Sequence, residues 1–378
     1  MDIESRIMKK ITKNAPKTNI SIINQKEAQY FYLTANYKHS YITSRLKYML
    51  VPFLEMLEIE NFKQVNFQST ASFMTYGMIS SYNGEQIRDK CYIFNTIDQS
   101  NVPVKLNLES IEGFSIYNGQ IVAIKGKNPS GNEIVVEKIY CLPVLNYKKP
   151  PNETMNLTVL KGPFSQATVE SMFETNGEVL FLLGPFCDFS QNGFDSIRQF
   201  VDYVELKLSK FPLSKAFIVP SEEDYFTISV FPQPKPDIGH SRVLSLPNPA
   251  SLYLNGHLIL ISNFDSILDL CSEELYKPSS NPDDPFSSVD KMTRISYHMI
   301  FQKSLAPVLY SKSCVSYGDW LNIDIAPHLY ILSSKMKQFG AEVGCSFVVN
   351  VGGSNKSKCT ISRYEDQAKY NIEFKASD

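Results

Sequence analysis

Short apolar runs alternate with helical periodicities over the C-terminal two thirds of the chain. The run at residues 179–183 breaks at Gly184-Pro185, which is typical of a buried parallel strand whose C-terminal end opens onto a loop. Residues 157–160 and 215–221 predict neighbouring strands, and residues 194–208 carry apolar side chains at helical spacing. Because strands and helices alternate, the pattern predicts an α/β unit with parallel strands.

The part of the chain before this unit has the pattern of a small β-barrel. Residues 90–95 and 104–108 predict short strands, and residues 115–140 predict two strands joined by a Pro-Ser-Gly-Asn turn. We expect the first of these two strands to end at Gly126. Several short strands at this spacing favour a barrel, and an OB-fold fits its size.

The sequence of the barrel is compatible with two kinds of binding partner, a protein or a single-stranded nucleic acid. Lysines at 125, 127 and 138 are balanced by Glu133 and Glu137, and no aromatic pair stands out on one face. Single-strand binders of this fold combine a basic groove with stacking aromatics. The pattern therefore favours a protein-docking barrel, with nucleic-acid binding as the alternative.

The N-terminal region predicts a helix and a tail. Residues 45–58 are rich in helix formers and predict a helix interrupted at Pro52. The first 25 residues or so are polar and basic, which predicts a disordered tail or, alternatively, a nuclear-import or partner-binding segment. The predicted divisions of the chain are 1–65 (tail and helical segment), 66–141 (OB-fold domain), 142–156 (linker) and 157–378 (α/β domain).

Composition narrows the class of protein. Of 378 residues, 43% are hydrophobic and 20% charged, and the formal net charge of −2 gives no overall basic field for nucleic acid. The seven scattered cysteines form no C-x-x-C pair, which argues against a zinc ribbon and predicts free thiols. No N-terminal apolar region and no apolar run near 20 residues is present. We therefore expect an intracellular protein that does not span a membrane.

Polar residues follow three successive predicted strands. A two-metal phosphoesterase has this layout, because Asp, His and Asn ligands converge from several strand ends on two cations. Here Gly162-Pro-Phe164, Pro185 and residues 220–223 stand where those ligands would be needed. The polar residues at the three strand ends are Ser165, Asp188, Ser221, Glu222, Glu223 and Asp224.

The histidines do not complete such a centre. Five are present, and no two have metal-ligand spacing. We expect His298, on a helix-like segment, to be packed or hydrogen-bonded, and His328 to face the crevice. The sequence predicts no catalytic residue, no metal ligand and no cofactor. The alternative is a metal-dependent phosphodiesterase with an atypical ligand set, formed by Asp188, Glu222, Asp224 and His328.

Short motifs follow one another in order from residue 115 to residue 363. The barrel contains Gly-Gln-Ile-Val-Ala-Ile-Lys-Gly-Lys-Asn-Pro-Ser-Gly at 119–131. The α/β part contains Leu-Gly-Pro-Phe-Cys-Asp at 183–188, Val-Pro-Ser at 219–221, Phe-Pro-Gln-Pro at 231–234, Pro-Asn-Pro at 247–249, Ser-Asn-Phe-Asp at 262–265, Leu-Cys-Ser-Glu-Glu at 270–274, Asp-Lys-Met-Thr-Arg at 290–294, then His298, Gln302, Pro307, and closing segments at 331–339, 344–345 and 349–352. Together these motifs resemble those of the B (second) subunits of the eukaryotic replicative DNA polymerases.

The resemblance implies a fold and a role. It implies an OB-like barrel followed by an inactivated calcineurin-like phosphoesterase α/β domain, that is, α/β plus β. It also implies a non-catalytic nuclear scaffold that binds the C-terminal domain of the polymerase catalytic subunit and, through the complex, primase. Contact with DNA would then be weak or indirect. The contexts of Gln233-Pro234 and Gln302 favour the alpha branch, with delta and epsilon as alternatives. Lys291, His328 and Val351 depart from the family pattern.

Overall fold

The computed structural model describes residues 18–376, except for the segments 24–27, 29, 31–35, 82–85, 88–89, 98–101, 141–148, 173–178, 188–192, 212–213, 239, 282–283, 285, 310, 354–356 and 365–368. Within these residues the chain forms a closed five-stranded barrel and two stacked six-stranded sheets.

The barrel has the strand order β2-β3-β4-β7-β6. All neighbouring strands are antiparallel except β4 and β7, which are parallel. Aliphatic side chains, including Ile79, Ile93, Val122 and Ile134, fill its interior. The strands are β2 (Ser69–Ser80), β3 (Tyr92–Phe94), β4 (Val104–Asn107), β6 (Ile121–Asn128) and β7 (Glu133–Tyr140).

Strand β6 continues two residues beyond Gly126, where the sequence predicted its end. The pairing of β6 with β7 shifts register between Lys125 and Gly126. A Cβ atom on Gly126 would lie 2.5 Å from the carbonyl oxygen of Val135. The glycine therefore marks a bulge where two backbones approach closely, and not the end of the strand.

Helix α1 (Tyr37–Leu57) runs through Pro52 without a break, so the predicted interruption is wrong. Proline inside a helix removes a hydrogen bond and costs about 3 kcal/mol. Leu46, Met49 and Phe53 are fully buried against the outside of the barrel. Burying side chains of this size yields about 1.5–3 kcal/mol each, which outweighs the cost of the proline.

The α/β part contains two mixed sheets that pack face to face. Their orders are β1-β12-β13-β15-β17-β16 and β11-β10-β9-β8-β18-β19. The first contains β1 (Ile20–Ile23), β12 (Ala250–Leu254), β13 (His257–Ser262), β15 (Leu329–Leu332), β16 (Phe339–Val343) and β17 (Ser346–Asn350). The second contains β8 (Met155–Lys161), β9 (Val179–Leu183), β10 (Lys215–Val219), β11 (Val243–Ser245), β18 (Ser357–Arg363) and β19 (Asn371–Ala376).

Helices cover the outer face of each sheet, which makes four layers. The sheet that contains β9 packs on α2 (Gln166–Met172) and α3 (Ile197–Leu208). The sheet that contains β13 packs on α4 (Ser266–Glu273) and α5 (Lys291–Phe301). Strand β9 is buried throughout and lies parallel to both β8 and β10. The buried parallel strand predicted from the sequence is therefore confirmed, and so is the α/β class of this part.

The N-terminal segment contributes a strand to this architecture. Ile20–Ile23 forms β1, which pairs antiparallel with β12. The prediction of a disordered tail is wrong at these residues, because four residues with three isoleucines can complete a sheet edge whose partner strand is already ordered. Among the described helices, none has the length and apolarity needed to cross a membrane.

Two short strands connect the barrel to the α/β part. Strand β5 (Phe114–Ile116) leaves the barrel and pairs antiparallel with β14 (Leu275–Lys277), which follows α4.

Candidate functional site

The C-terminal ends of parallel strands from both sheets surround one crevice. Strands β8, β9 and β10 of one sheet and β13 and β15 of the other end at its edge. The strand-end crevice is a cavity of about 340 Å³ whose lining includes Lys161, Ser221, Glu222, Glu223, Asn263, Asp265, Asp269, Lys312, Ser333 and Lys335. Of the residues predicted at three strand ends, Ser221, Glu222 and Glu223 line the crevice, and all three follow β10. Ser165, after β8, instead accepts a hydrogen bond from the backbone N–H of Thr168 at the start of α2.

A lysine and an asparagine link four strand ends at the floor of the crevice. The Nζ atom of Lys161, which ends β8, donates to Oδ1 of Asn263 at 2.6 Å. The Nδ2 group of Asn263, which follows β13, donates to the carbonyl oxygens of Gly184 and Pro220, both at 3.0 Å. These carbonyls follow β9 and β10, so one amide side chain joins both sheets.

The carboxylate of Asp224 accepts hydrogen bonds from backbone N–H groups of two neighbouring turns. Its Oδ1 accepts from the N–H of Phe186 at 2.9 Å, and its Oδ2 accepts from the N–H of Ser221 at 2.8 Å. Gly184 lies so close that a Cβ atom there would be 2.1 Å from Oδ2 of Asp224. The Gly184-Pro185 bond is cis, as is Gly162-Pro163 at the end of the neighbouring strand.

Burial is the largest cause of the shifted pKa values of the charged side chains at the crevice. Burial lowers the pKa of Lys161 to about 8, against the opposing effect of Glu223, Asp224 and Asp265. Burial raises the pKa of Asp224 to about 6, although its two backbone hydrogen bonds work in the other direction. Burial, with Asp269, Glu223 and Asp265 nearby, raises the pKa of Glu222 to about 7.

The proposed phosphodiesterase ligand set does not come together. His328 precedes β15 and accepts the backbone N–H of Leu258 at 2.8 Å through Nδ1. It therefore lies at the strand starts, the opposite end of the sheet from the crevice, and the prediction that it faces the crevice is wrong. Asp188 lies outside the described residues.

The donor set present does not fit a two-metal centre. Both oxygens of Asp224 are already hydrogen-bonded to backbone, and among the described members of the predicted set Glu222 is the one that lines the cavity. In the part of the chain that the structure describes, no three His, Cys, Asp or Glu side chains are grouped as metal ligands. Lys161 places an ammonium group at the crevice floor instead.

Buried polar residues are hydrogen-bonded to one another where the barrel meets the α/β part. Oγ of Ser115 lies 2.7 Å from Oε1 of Glu274 and 2.6 Å from Nε2 of His298. Glu274 also accepts two hydrogen bonds from Arg294, at 2.5 and 3.1 Å. Gln302 exchanges two hydrogen bonds with the backbone of Ile121, at 2.8 and 2.9 Å. Motif spacing alone could single these residues out, but only tertiary contacts show what they bind.

Burial explains the charge states in this interdomain network. Burial lowers the pKa of His298 to about 4, so the imidazole is neutral near pH 7. Burial would raise the pKa of Glu274, but hydrogen bonds from Arg294 and Ser115 hold it below its ordinary value. The prediction that His298 is a packed, hydrogen-bonded histidine is confirmed.

Ion pairs occupy part of the basic surface of the barrel. Lys105 pairs with Glu133 at 2.6 Å, and Lys127 pairs with Glu137 at 3.3 Å. Lys138 lies over the ring of Tyr140, with its Nζ 4.9 Å from the ring centroid. The two ion pairs reduce the local positive charge available to a phosphate backbone.

Two family models match the chain. Residues 139–341 match the family of B subunits of DNA polymerases alpha and epsilon, and residues 43–142 match the OB domain of the DNA polymerase alpha B subunit. The second match agrees with the closed five-stranded barrel of the structure. The predicted order, an OB barrel followed by an α/β domain, is therefore confirmed.

Curated relatives carry the same family name. The chain is 24% identical to the DNA polymerase alpha B subunit of Drosophila melanogaster over 295 residues, covering 71% of this chain and 47% of the relative. It is 21% identical to the Mus musculus protein of that name over 355 residues, covering 84% and 58%. The chain thus spans about half the length of the curated relatives it matches.

Solved structures give weaker likenesses. Vacuolar protein sorting 29 from Cryptosporidium parvum has a TM-score of 0.29 and 11% identity, over 59% of this chain and 97% of that one. The protein TT1561 of Thermus thermophilus has a TM-score of 0.29 and 11% identity, over 60% and 100%. The two family models together cover the barrel and most of the α/β part, and the chain belongs to the family of DNA polymerase alpha/epsilon B subunits.

Proposed function

We propose that this chain is a non-catalytic subunit of DNA polymerase alpha–primase. It binds the C-terminal domain of the polymerase catalytic subunit, connects it with primase, and supports RNA–DNA primer synthesis in the nucleus when replication begins. Membership of the B-subunit family supports an accessory role in replication. The observation that carries the non-catalytic part is the hydrogen bond from Lys161 to Asn263, at the place where a phosphoesterase would need metal ligands.

The arrangement of the two domains supports a scaffold. A rigid platform needs an interface whose buried polar groups are satisfied, because an unmet buried charge costs several kcal/mol. Arg294 and Glu274 are both nearly fully buried and form two hydrogen bonds with each other. Arg45 of α1 donates to the carbonyl oxygen of Gln302 at 2.5 Å and to Asn322 at 2.7 Å, which adds α1 to the same interface.

Co-expression tests the scaffold. The chain is produced with the C-terminal domain of the catalytic subunit of polymerase alpha, and in parallel with the corresponding domains of polymerases delta and epsilon. We expect a stable one-to-one complex with the alpha domain, measured by size-exclusion chromatography with light scattering. A chain that elutes alone in all three cases would refute the scaffold, and a preference for delta or epsilon would refute the alpha assignment.

A separate assay tests the absence of catalysis. The chain is incubated with Mn²⁺ and bis(p-nitrophenyl) phosphate, a general phosphodiester substrate. We expect no release of nitrophenol above a protein-free control. Turnover that is lost in both Asp188→Ala and Glu222→Ala would instead support the metal-dependent phosphodiesterase.

A further inference from the structure

An apolar groove lies on the outer face of the sheet that contains β13, beside the edge strand β1. The buried leucines Leu258 and Leu260 of β13 form its floor, and Trp320 and Ile325 line its open side. This edge groove has a volume of about 270 Å³. Ile325 is 42% exposed, so apolar surface remains uncovered there. Covering such surface is favourable, and the edge groove therefore suits an apolar ligand.

The charged residues that line the edge groove are both acids. Asp319 and Asp324 are exposed at its rim, where they accept hydrogen bonds from the hydroxyls of Ser44 at 2.7 Å and Tyr48 at 3.1 Å. In the described part of the chain, neither acid forms an ion pair. Lys303 lies near Asp324, but its Nζ is directed at the ring of Tyr48, 4.5 Å from the centroid. The rim therefore favours an apolar ligand that also carries positive charge.

The first 17 residues, which lie outside the described part of the chain, have a matching sequence. They contain five basic and two acidic residues, which gives this segment a net charge of +3. Ile3, Ile7 and Ile11 recur every four residues, so in a helical conformation their side chains would share one face. Arg6 and Lys10 would then lie along one side of that face. The segment thus combines an apolar stripe with adjacent positive charge.

The same segment is attached beside the edge groove. Ile23 of β1 and its strand partner Ser251 both line the groove. The backbone N–H of Asn19 donates to Oδ1 of Asn255 at 2.9 Å, which fixes the start of β1 on the same sheet. Residue 18 therefore lies within about 17 Å of the groove along the strand. Seventeen residues can extend about 55 Å, so the segment can reach it. Attachment at this distance gives an effective concentration of about 1 mM, and weak contacts are then sufficient.

We propose that residues 1–17 bind over the edge groove of their own chain. In this arrangement the isoleucine stripe covers Trp320 and Ile325, and the basic residues lie beside Asp319 and Asp324. The inference goes beyond the proposed scaffold function and does not depend on it, because it is tested on the chain alone. A separate peptide with the same apolar and basic pattern would compete for the groove.

Trp320 is the single tryptophan of the chain and lines the edge groove, so its fluorescence reports whether the groove is covered. Quenching by acrylamide is measured on the full chain and on the variant Ile7→Ser/Ile11→Ser. We expect the variant to be quenched about twofold more strongly, with emission at longer wavelength, because water reaches the indole when the stripe is lost. Ser5→Ala/Thr12→Ala, on the opposite side of the same segment, is the matched control and should behave as the unsubstituted chain. A synthetic peptide of residues 1–17, added to Ile7→Ser/Ile11→Ser at about 1 mM, should restore the protection, whereas a scrambled peptide should not.

Variants of the rim test the charge complementarity. Asp319→Asn/Asp324→Asn keeps the hydrogen-bond acceptors for Ser44 and Tyr48, and we expect it to raise the quenching of Trp320 by about twofold. Glu60→Gln/Glu109→Gln, at exposed positions that do not line the groove, is the control and should leave the quenching unchanged. Melting temperatures show that each variant folds.

Three results would overturn the proposal. The first is equal quenching of Trp320 in the unsubstituted chain and in Ile7→Ser/Ile11→Ser. The second is a peptide of residues 1–17 that protects no better than its scrambled form. The third is protection that increases with protein concentration, because the segment of a second copy would then occupy the groove.

Discussion

The ammonium group of Lys161 donates to the amide oxygen of Asn263, and the amide nitrogen of Asn263 donates to the carbonyls of Gly184 and Pro220. The strand ends of the two sheets are thereby joined by two side chains. The amide of Asn263 is hydrogen-bonded on both its oxygen and its nitrogen, so this side chain fixes the strand ends of the two sheets to each other.

Replacing Asn263 alone should lower the free energy of unfolding more than replacing Lys161 and Asn263 together. In Asn263→Leu, Lys161 and two carbonyl oxygens lose their partner, and we expect a loss of about 3 kcal/mol in the free energy of unfolding. The double variant Lys161→Met/Asn263→Leu removes the buried charge as well, so it should lose less than Asn263→Leu alone. Urea unfolding measures both. Lys210→Met, at an exposed position, is the control, and a double variant less stable than Asn263→Leu would contradict this account.

Gly184 should not tolerate a side chain. A Cβ atom at this position would lie 2.1 Å from Oδ2 of Asp224, which is itself fixed by two backbone N–H groups. We expect Gly184→Ala to lower the free energy of unfolding by about 3 kcal/mol. Gly131 lies in the β6–β7 turn at φ 82°, and the nearest atom to its Cβ position, the carbonyl oxygen of Asn66, is 3.8 Å away. Gly131→Ala should cost only about 1 kcal/mol from backbone strain. Equal losses in thermal unfolding would contradict the steric account.

His298 should make stability fall as the pH falls from 6.5 to 4. The unfolded chain binds a proton at the ordinary pKa of 6.5, whereas the buried imidazole resists protonation until about pH 4. Protonation in this window therefore favours the unfolded state, by up to about 3 kcal/mol. His298→Gln should flatten this part of the profile, measured by urea unfolding at several pH values. His39→Asn, at an exposed position of α1, is the control, and an unchanged slope in His298→Gln would contradict the prediction.

Glu222 should have the opposite pH effect. Its pKa is about 7 in the folded chain and ordinarily 4.5, so the folded state binds more protons between these values. The contribution of Glu222 to stability therefore falls as the pH rises from 4.5 to 7. We expect Glu222→Gln to be more stable than the unsubstituted chain at pH 8 by about 1 kcal/mol, allowing for solvent screening of a partly exposed group. The gain should vanish near pH 4.5, and destabilisation at pH 8 would contradict this.

The linear pattern of residues was sufficient to predict the buried strand β9 and the helix α3 that follows it. The apolar run of β9, closed by Gly184-Pro185, predicted a buried parallel strand, because only such strands are apolar at every position. Pro185 and Phe164 already excluded the metal ligands needed at their positions, since neither side chain can coordinate a cation. The alternation of apolar and polar residues also predicted both strands of the β6–β7 hairpin.

Long-range packing sets the placement of polar groups and the ends of several elements. The continuity of α1 through Pro52 depends on packing against the barrel, an energy that local propensity does not contain. His328 and Glu222 were both candidates, and only the tertiary structure shows that Glu222 lies at the strand ends that line the crevice whereas His328 lies at the strand starts, at the opposite edge of the two stacked sheets. Lys161 and Asn263 are 102 residues apart, so no local pattern could indicate that their side chains meet. Hydrogen bonds of this kind depend on the distance between side chains in space, which the chain sets only when it folds.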